Sequence, residues 1–201
     1  MSKLSNNLNN PWDNVMMSLC GKFCPLFKYF DFSPNMLTTI SLVTGIASIY
    51  CFTSKKYNLS SLLFIISYFF DCIDGYYARK YNMVSKFGDY YDHIKDVIVT
   101  SLIIFVIVKK YWILNSWHKF LPFSLIAFLP FILIHVGCVE SLRSKDHNNS
   151  TSESLSITQK LCPARDKKKI INIMNYTKFG TSGSSILYIS ALIFYTQFLN
   201  I

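Results

Sequence analysis

Five long apolar runs, at residues 35–53, 59–78, 97–114, 120–138 and 182–201, constrain this chain more than any other feature. At a rise of about 1.5 Å per residue, each is long enough to cross a hydrocarbon core of about 30 Å. Backbone groups at that depth must find hydrogen-bond partners within the chain. No alternation of inward and outward residues suggests a barrel, so the runs predict helices. A soluble helical protein is the competing reading. It fares badly because residues 102–108 and 123–136 carry no polar stripe to meet water. With 51% hydrophobic and 15% charged residues, the chain is also too apolar for a full polar surface. The expected fold is all-α, a polytopic transmembrane bundle with five clear spans over residues 34–201. Pro122 and Pro130 are compatible with a membrane helix, and a kink is expected near Pro130.

Residues 1–33 form an N-terminal segment whose first 21 residues are Asn-rich and polar, without the continuous apolar centre of a cleaved signal. Trp12, Val15, Met16, Leu19 and Cys20 recur at helical spacing, which predicts a short N-terminal helix lying along the interface, with a flexible tail as the alternative. Numbering the spans in order puts 15 of the 20 basic residues on the side that holds the N-terminus, the loop after Ala78 and residues 140–180. Only Lys55, Lys56, Lys109, Lys110 and Lys119 fall on the other side. The positive-inside rule then places the first side in the cytoplasm. That distribution accounts for the net charge of +9 without nucleic acid as a partner. Between the fourth and fifth spans lies a polar and basic cytoplasmic loop at 140–181. Its first part, 141–160, reads as mobile. The second, 161–183, mixes lysines with Ile170, Ile171, Ile173 and Met174, as an interfacial segment or a plain stop-transfer cluster would. The six cysteines form no dense disulfide framework, and most sit in or beside apolar runs as small hydrophobes. Cys20 and Cys24 share a helix face, but two thiols alone do not specify zinc.

Five of the eleven acidic residues, Asp71, Asp74, Asp89, Asp92 and Asp96, fall within 26 positions at two span boundaries. Carboxylates beside hydrocarbon are costly unless hydrated, paired or bound to a cation. Asp71 and Asp74 are three apart and Asp92 and Asp96 four apart, so each pair shares a helix face. Adjacent antiparallel helices would bring both pairs to one cavity. An all-oxygen ligand set favours Mg2+ or Mn2+ over zinc. Two such ions, about 3.5–4 Å apart, would hold a pyrophosphate during phosphoryl transfer. Asp96, nearest the apolar part of its helix, is the candidate general base. Gly75, Gly88 and Ala78 allow close approach of a nucleotide or a facing helix, and Arg79 can grip a phosphate or snorkel at the interface.

Read whole, DCIDGYYARKYNMVSKFGDYYDHIKD resembles the signature of the CDP-alcohol phosphotransferase (CDP-alcohol phosphatidyltransferase) family. Its fixed residues match Asp71, Asp74, Gly75, Ala78, Arg79, Gly88, Asp92 and Asp96, and none is missing. The resemblance implies metal ligation by Asp71, Asp74 and Asp92, with Asp96 as acceptor-activating base and contact to the second ion. Gly75, Ala78 and Arg79 then receive the CDP moiety. Upstream, Pro34, Asn35 and Thr38 resemble the Pro-Asn-x-x-Thr segment that opens the family's first membrane helix. Asn35 and Thr38 would reach the nucleotide, although helix capping explains Asn35 equally. Family members usually have six membrane helices, and a sixth here would have to hide in 157–176, against Arg165, Asp166 and three lysines.

The resemblance further implies an integral membrane, metal-dependent enzyme of phospholipid synthesis. It would move a substituted phosphate from a CDP-linked donor to an alcohol acceptor with release of CMP. Its membrane would be the endoplasmic reticulum if eukaryotic, or the inner membrane if bacterial. His93, directly after the third motif aspartate, resembles the aminoalcohol branch, which leans the reading to CDP-choline or CDP-ethanolamine with diacylglycerol. His93 would there assist proton transfer. CDP-diacylglycerol with inositol, glycerol phosphate or serine is the alternative, and a noncatalytic ion-binding membrane protein is the competing class. Gly45, Ala47 and Ser48 are small enough for close helix contact or a homodimer, which the resemblance also favours.

Overall fold

The computed structural model describes residues 7–114, 116–144 and 156–199. Every regular element among them is helical. Most of the expected mobile stretch, 145–155, lies outside the described residues. Helix α1 (Pro11–Tyr29) begins at Asn10, whose side chain accepts from the Trp12 amide, with Pro11 pre-set for the first turn. The same Asn10 carboxamide donates to the Lys178 carbonyl, Thr181 Oγ1 and Ser184 Oγ, at 2.9, 3.1 and 2.6 Å. One buried side chain therefore starts α1 and ties it to the opposite end of the chain. Met16, Cys20 and Cys24 face inward, while Val15 is exposed. The stripe expected from the sequence is thus rotated slightly from the face that is buried.

Helices α2 (Pro34–Thr53) and α3 (Tyr57–Lys80) form an antiparallel hairpin whose turn passes through Lys55 at a φ of 62°. Serines lace it together. Ser41 Oγ donates to the Ser67 carbonyl and Ser67 Oγ to the Ser41 carbonyl, both at 2.8 Å; Ser48 and Ser60 repeat the exchange at 2.7 and 2.8 Å. Such bonds hold helices together where lipid tails supply no hydrophobic drive. Gly45 admits the helix that carries Val99, since a Cβ there would stand 2.7 Å from that side chain. The small residues of α2 are therefore used inside the chain.

Helix α4 (Lys86–Trp112) is capped by Ser85, which accepts from the Gly88 amide at 3.0 Å. Its Ile103 and Ile107 join Phe64 of α3 and Ile189 and Ile193 of the last helix in the main core. The chain then runs through a 3-10 stretch (Trp117–Ala127) into α5 (Phe128–Arg143). Near Pro130, where a kink is expected, the helix changes from 3-10 to α geometry at 127–128, and Pro130 falls in the first turn of α5.

Residues 140–181 are more than a loop. Glu140 and Arg143 close α5, a 3-10 turn (Ser156–Leu161) lies against it, and α6 (Lys167–Thr177) packs Ile170 and Met174 onto Cys138 and Leu142. At 11 residues, about 16 Å, α6 is too short to cross a bilayer, so no sixth span lies in 157–176. Its lysines are exposed. Cys138 and Cys162 form a disulfide, a pairing that their spacing does not announce, whereas Cys20, Cys24, Cys51 and Cys72 are free and buried.

Helix α7 (Ser182–Tyr195) continues as a 3-10 turn (Thr196–Phe198). Three helical segments among the described residues are long and apolar enough to span a membrane: Pro34–Thr53, Tyr57–Lys80 and Trp117–Arg143. The other two predicted spans are present as helices but fall short of that measure. α4 carries charges at both ends, and the helical stretch from 182 to 198 is brief.

Candidate active site

The end of α3 and the start of α4 meet beside the first turns of α2, and a cavity of about 510 Å³ opens there. Its walls include Asn35, Thr38, Asp71, Asp74, Gly75, Ala78, Arg79, Gly88, Asp92, His93 and Asp96. Every candidate site residue read from the sequence is thus drawn to one space.

The helix spacing achieves this. Asp71 and Asp74 face inward from the last turns of α3, and Asp92 and Asp96 face them from α4. One oxygen of each of Asp71, Asp74 and Asp92 lies within 4.8 Å of the others. Asp74 is only 3% exposed, and Thr38 Oγ1 donates to its Oδ2 at 2.6 Å. Thr38 therefore aims a carboxylate, besides lining the cavity itself. Asp92 Oδ1 is buried, and the Lys95 ammonium lies 3.2 Å from it. The three oxygens fit a hard divalent cation, and the donor set suits Mg2+ or Mn2+.

The glycines act through clearance. A Cβ at Gly88 would come within 3.0 Å of both Asn35 Oδ1 and Ser85 Oγ, so its absence lets the N-termini of α2 and α4 approach. A Cβ at Gly75 would press on Arg79 Nη1 at 3.1 Å, so Gly75 gives the guanidinium its room. His93 Nδ1 sits 2.6 Å from the Asp89 carbonyl one turn earlier, a separation that suits an Nδ1–H donated to the backbone.

Three further features of the site carry no mark in the motif. Lys95 reads in the sequence only as a cytoplasmic-side charge, yet its side chain is 2% exposed and lies among Asp71, Asp92 and Asp96. Glu140 and Arg143 of α5 also line the cavity, paired at 2.7 Å, with Glu140 1% exposed. From α1, Asp13 reaches the same cavity and accepts a hydrogen bond from the Tyr68 hydroxyl. Burial pushes the Asp13 carboxyl above the ordinary aspartate range, and the Tyr68 bond opposes that shift. A Cβ at Gly183 would stand 2.0 Å from Asp13 Oδ1, so the start of α7 closes directly over it.

An all-α bundle with an aspartate cluster between two apolar helices defines a class. The family model for CDP-alcohol phosphatidyltransferase matches residues 32–156, and the chain belongs to that family. Within it the chain is similar to the CDP-diacylglycerol--glycerol-3-phosphate 3-phosphatidyltransferase of Rickettsia felis, with 36% identity over 80 residues, 38% of this chain and 44% of the relative. It also resembles the probable CDP-diacylglycerol--inositol 3-phosphatidyltransferase 2 of Arabidopsis thaliana, 37% identical over 70 residues, covering 35% and 30% of the two chains. A third relative is the CDP-diacylglycerol--serine O-phosphatidyltransferase of Helicobacter pylori, 37% identical over 74 residues, 37% of this chain and 30% of that one. The chain thus spans less than half the length of these relatives. No solved structure matches it.

Proposed function

We propose that this chain is a divalent-cation-dependent CDP-diacylglycerol phosphatidyltransferase of phospholipid synthesis. The donor supplies a phosphatidyl group, a small phosphorylated polyol of the glycerol 3-phosphate kind accepts it, and CMP leaves. This replaces the lean toward CDP-choline or CDP-ethanolamine drawn from His93. The relatives that the chain resembles are named for CDP-diacylglycerol, and the Nδ1 of His93 is directed at its own helix. The observation that carries the choice of acceptor is Arg143. It stands in the wall of the same cavity as the aspartates, paired with the buried Glu140, and can form paired hydrogen bonds to a phosphate.

Asp71, Asp74 and Asp92 would hold the cation, and Thr38 keeps Asp74 pointed at it. A divalent cation bound there neutralises pyrophosphate charge and favours departure of the leaving group. Asn35, Gly75, Ala78, Arg79 and Gly88 form the surface that receives the CDP moiety. Asp96 takes the proton of the acceptor hydroxyl. The freed oxygen attacks the phosphorus that carries diacylglycerol, a new P–O bond forms, and the bond to the CMP phosphate breaks with its electron pair on CMP. No covalent enzyme intermediate is needed. The side with more basic residues faces the cytoplasm, where a soluble acceptor would enter.

The test supplies the purified protein, in lipid nanodiscs, with labelled CDP-diacylglycerol or CDP-choline, a panel of acceptors, and Mg2+ or Mn2+. Phosphatidyl transfer from CDP-diacylglycerol to glycerol 3-phosphate, with matching CMP release, is the expected result. A choline phospholipid formed from CDP-choline, with CDP-diacylglycerol inert, would overturn it.

A further inference from the structure

A cation that belongs to the chain already sits in the aspartate cluster. Lys95 lies on α4 between two motif aspartates, at a position the family signature leaves open, and the whole residue is 3% exposed. Its Nζ pairs with Asp71, with Asp96 at 2.7 Å and with Asp92 at 3.2 Å, and donates to Ser41 Oγ at 3.3 Å. Ser41 is itself buried in α2, so helices α2, α3 and α4 converge on one ammonium. A lysine this deep is retained only where carboxylates surround it, and here there are three.

The approach is from behind. Lys95 does not line the large cavity; it borders a much smaller one, of about 30 Å³, with Ser41, Ser67, Asp71 and Asp96. Asp74 is absent from its partners and is engaged by Thr38 instead. The four motif aspartates therefore divide into two overlapping faces. Asp71, Asp74 and Asp92 turn a compact triad toward the cavity. Asp71, Asp92 and Asp96 clasp the ammonium. Asp71 and Asp92 belong to both.

Charge decides how many metal ions this arrangement accepts. Four carboxylates with two divalent cations would balance, but the ammonium is already inside the cluster. A second divalent ion on the Asp71–Asp96 face would have to approach a buried positive charge within a few ångströms, or expel it from all its partners. We propose that Lys95 takes the place of a second divalent cation. The site loads one ion, on Asp71, Asp74 and Asp92, and the ammonium is the fixed positive charge of the other face. This rests on the proposed function, in which the triad holds a divalent cation, and it replaces the two ions expected from the spacing of the aspartates.

The test counts ions. Purified protein stripped of metal is titrated with Mn2+, and bound Mn2+ is followed by electron paramagnetic resonance with and without saturating CDP. The wild type is expected to bind one Mn2+ per chain in both conditions. Lys95→Met should bind two, the second with a Kd within about tenfold of the first. Two ions in the wild type overturns the proposal, as does one ion in both proteins. If Lys95→Met does not fold, Lys95→Gln keeps a hydrogen-bond donor without the charge, and the wild-type count decides alone. No specific Mn2+ binding, together with transfer that survives chelation, would defeat the divalent-cation reading itself. Two ions in the wild type would leave that reading standing.

Discussion

The two walls of the cavity are built in different ways. One wall is the end of α3 and the start of α4, where a single continuous stretch of sequence supplies the aspartates, the glycines and Arg79. Its geometry follows from helix periodicity and one tight connection. The other wall is assembled from Asp13 of α1, Glu140 and Arg143 of α5 and the start of α7, which are remote in sequence. It depends on packing at a distance. Gly137 shows how close that packing is, because a Cβ there would stand 2.5 Å from the Thr158 carbonyl. The Cys138–Cys162 disulfide fastens the same two segments. The groups proposed to react sit on the locally encoded wall, and the groups proposed to select the acceptor sit on the wall that needs the whole fold.

The largest effect expected separates the walls at once. Asp74→Asn should lower transfer on the order of 10³-fold, as loss of a charge-stabilising group at a reacting centre does. Steady-state CMP release checks this, and a variant with near-normal turnover would break the division. Asp96→Asn should lower kcat by roughly 10²-fold or more while leaving donor binding close to wild type, because it removes a proton acceptor and not the triad. Equal loss of donor binding in the two variants would merge their roles.

On the opposite wall a smaller, differently shaped change is expected. Arg143→Lys keeps the charge but loses the planar fork, and should raise the KM for glycerol 3-phosphate about tenfold with little change in kcat. If kcat fell and KM held, Arg143 would belong with the reacting groups. The smallest effect concerns Asp13. Its folded-state pKa is raised by burial, so the native protein holds that proton more tightly than the unfolded chain. Stability is therefore expected to fall as pH rises from about 3.9, the unfolded value, through the raised one. Asp13→Asn should flatten that slope in thermal unfolding. An unchanged slope would remove Asp13 from the account of how α1 docks.

The contrast also explains how much of the molecule is legible in its residues alone. Each of the five apolar runs falls on a helical region, and eleven site residues named from the sequence line one cavity. Lys95 is easily passed over because the signature treats its position as open; a lysine within one turn of two motif aspartates, at the edge of hydrocarbon, is the available signal. Glu140 and Arg143, three apart at a helix end, look like an ordinary exposed pair. They are buried in the cavity wall, among side chains from elements remote in sequence. The shift from 3-10 to α geometry at 127–128 has no local marker beyond the two prolines, and the cysteine pairing none at all.

The central claim is that Asp71, Asp74 and Asp92 act together as a divalent-ion site for the donor pyrophosphate. Binding of CDP to the protein in nanodiscs, measured calorimetrically with and without Mg2+ or Mn2+, tests it most directly. The wild type should bind CDP only when the divalent cation is present, and Asp74→Asn should not bind it in either condition. Equal CDP affinity with and without the cation, unchanged in Asp74→Asn, would contradict the account.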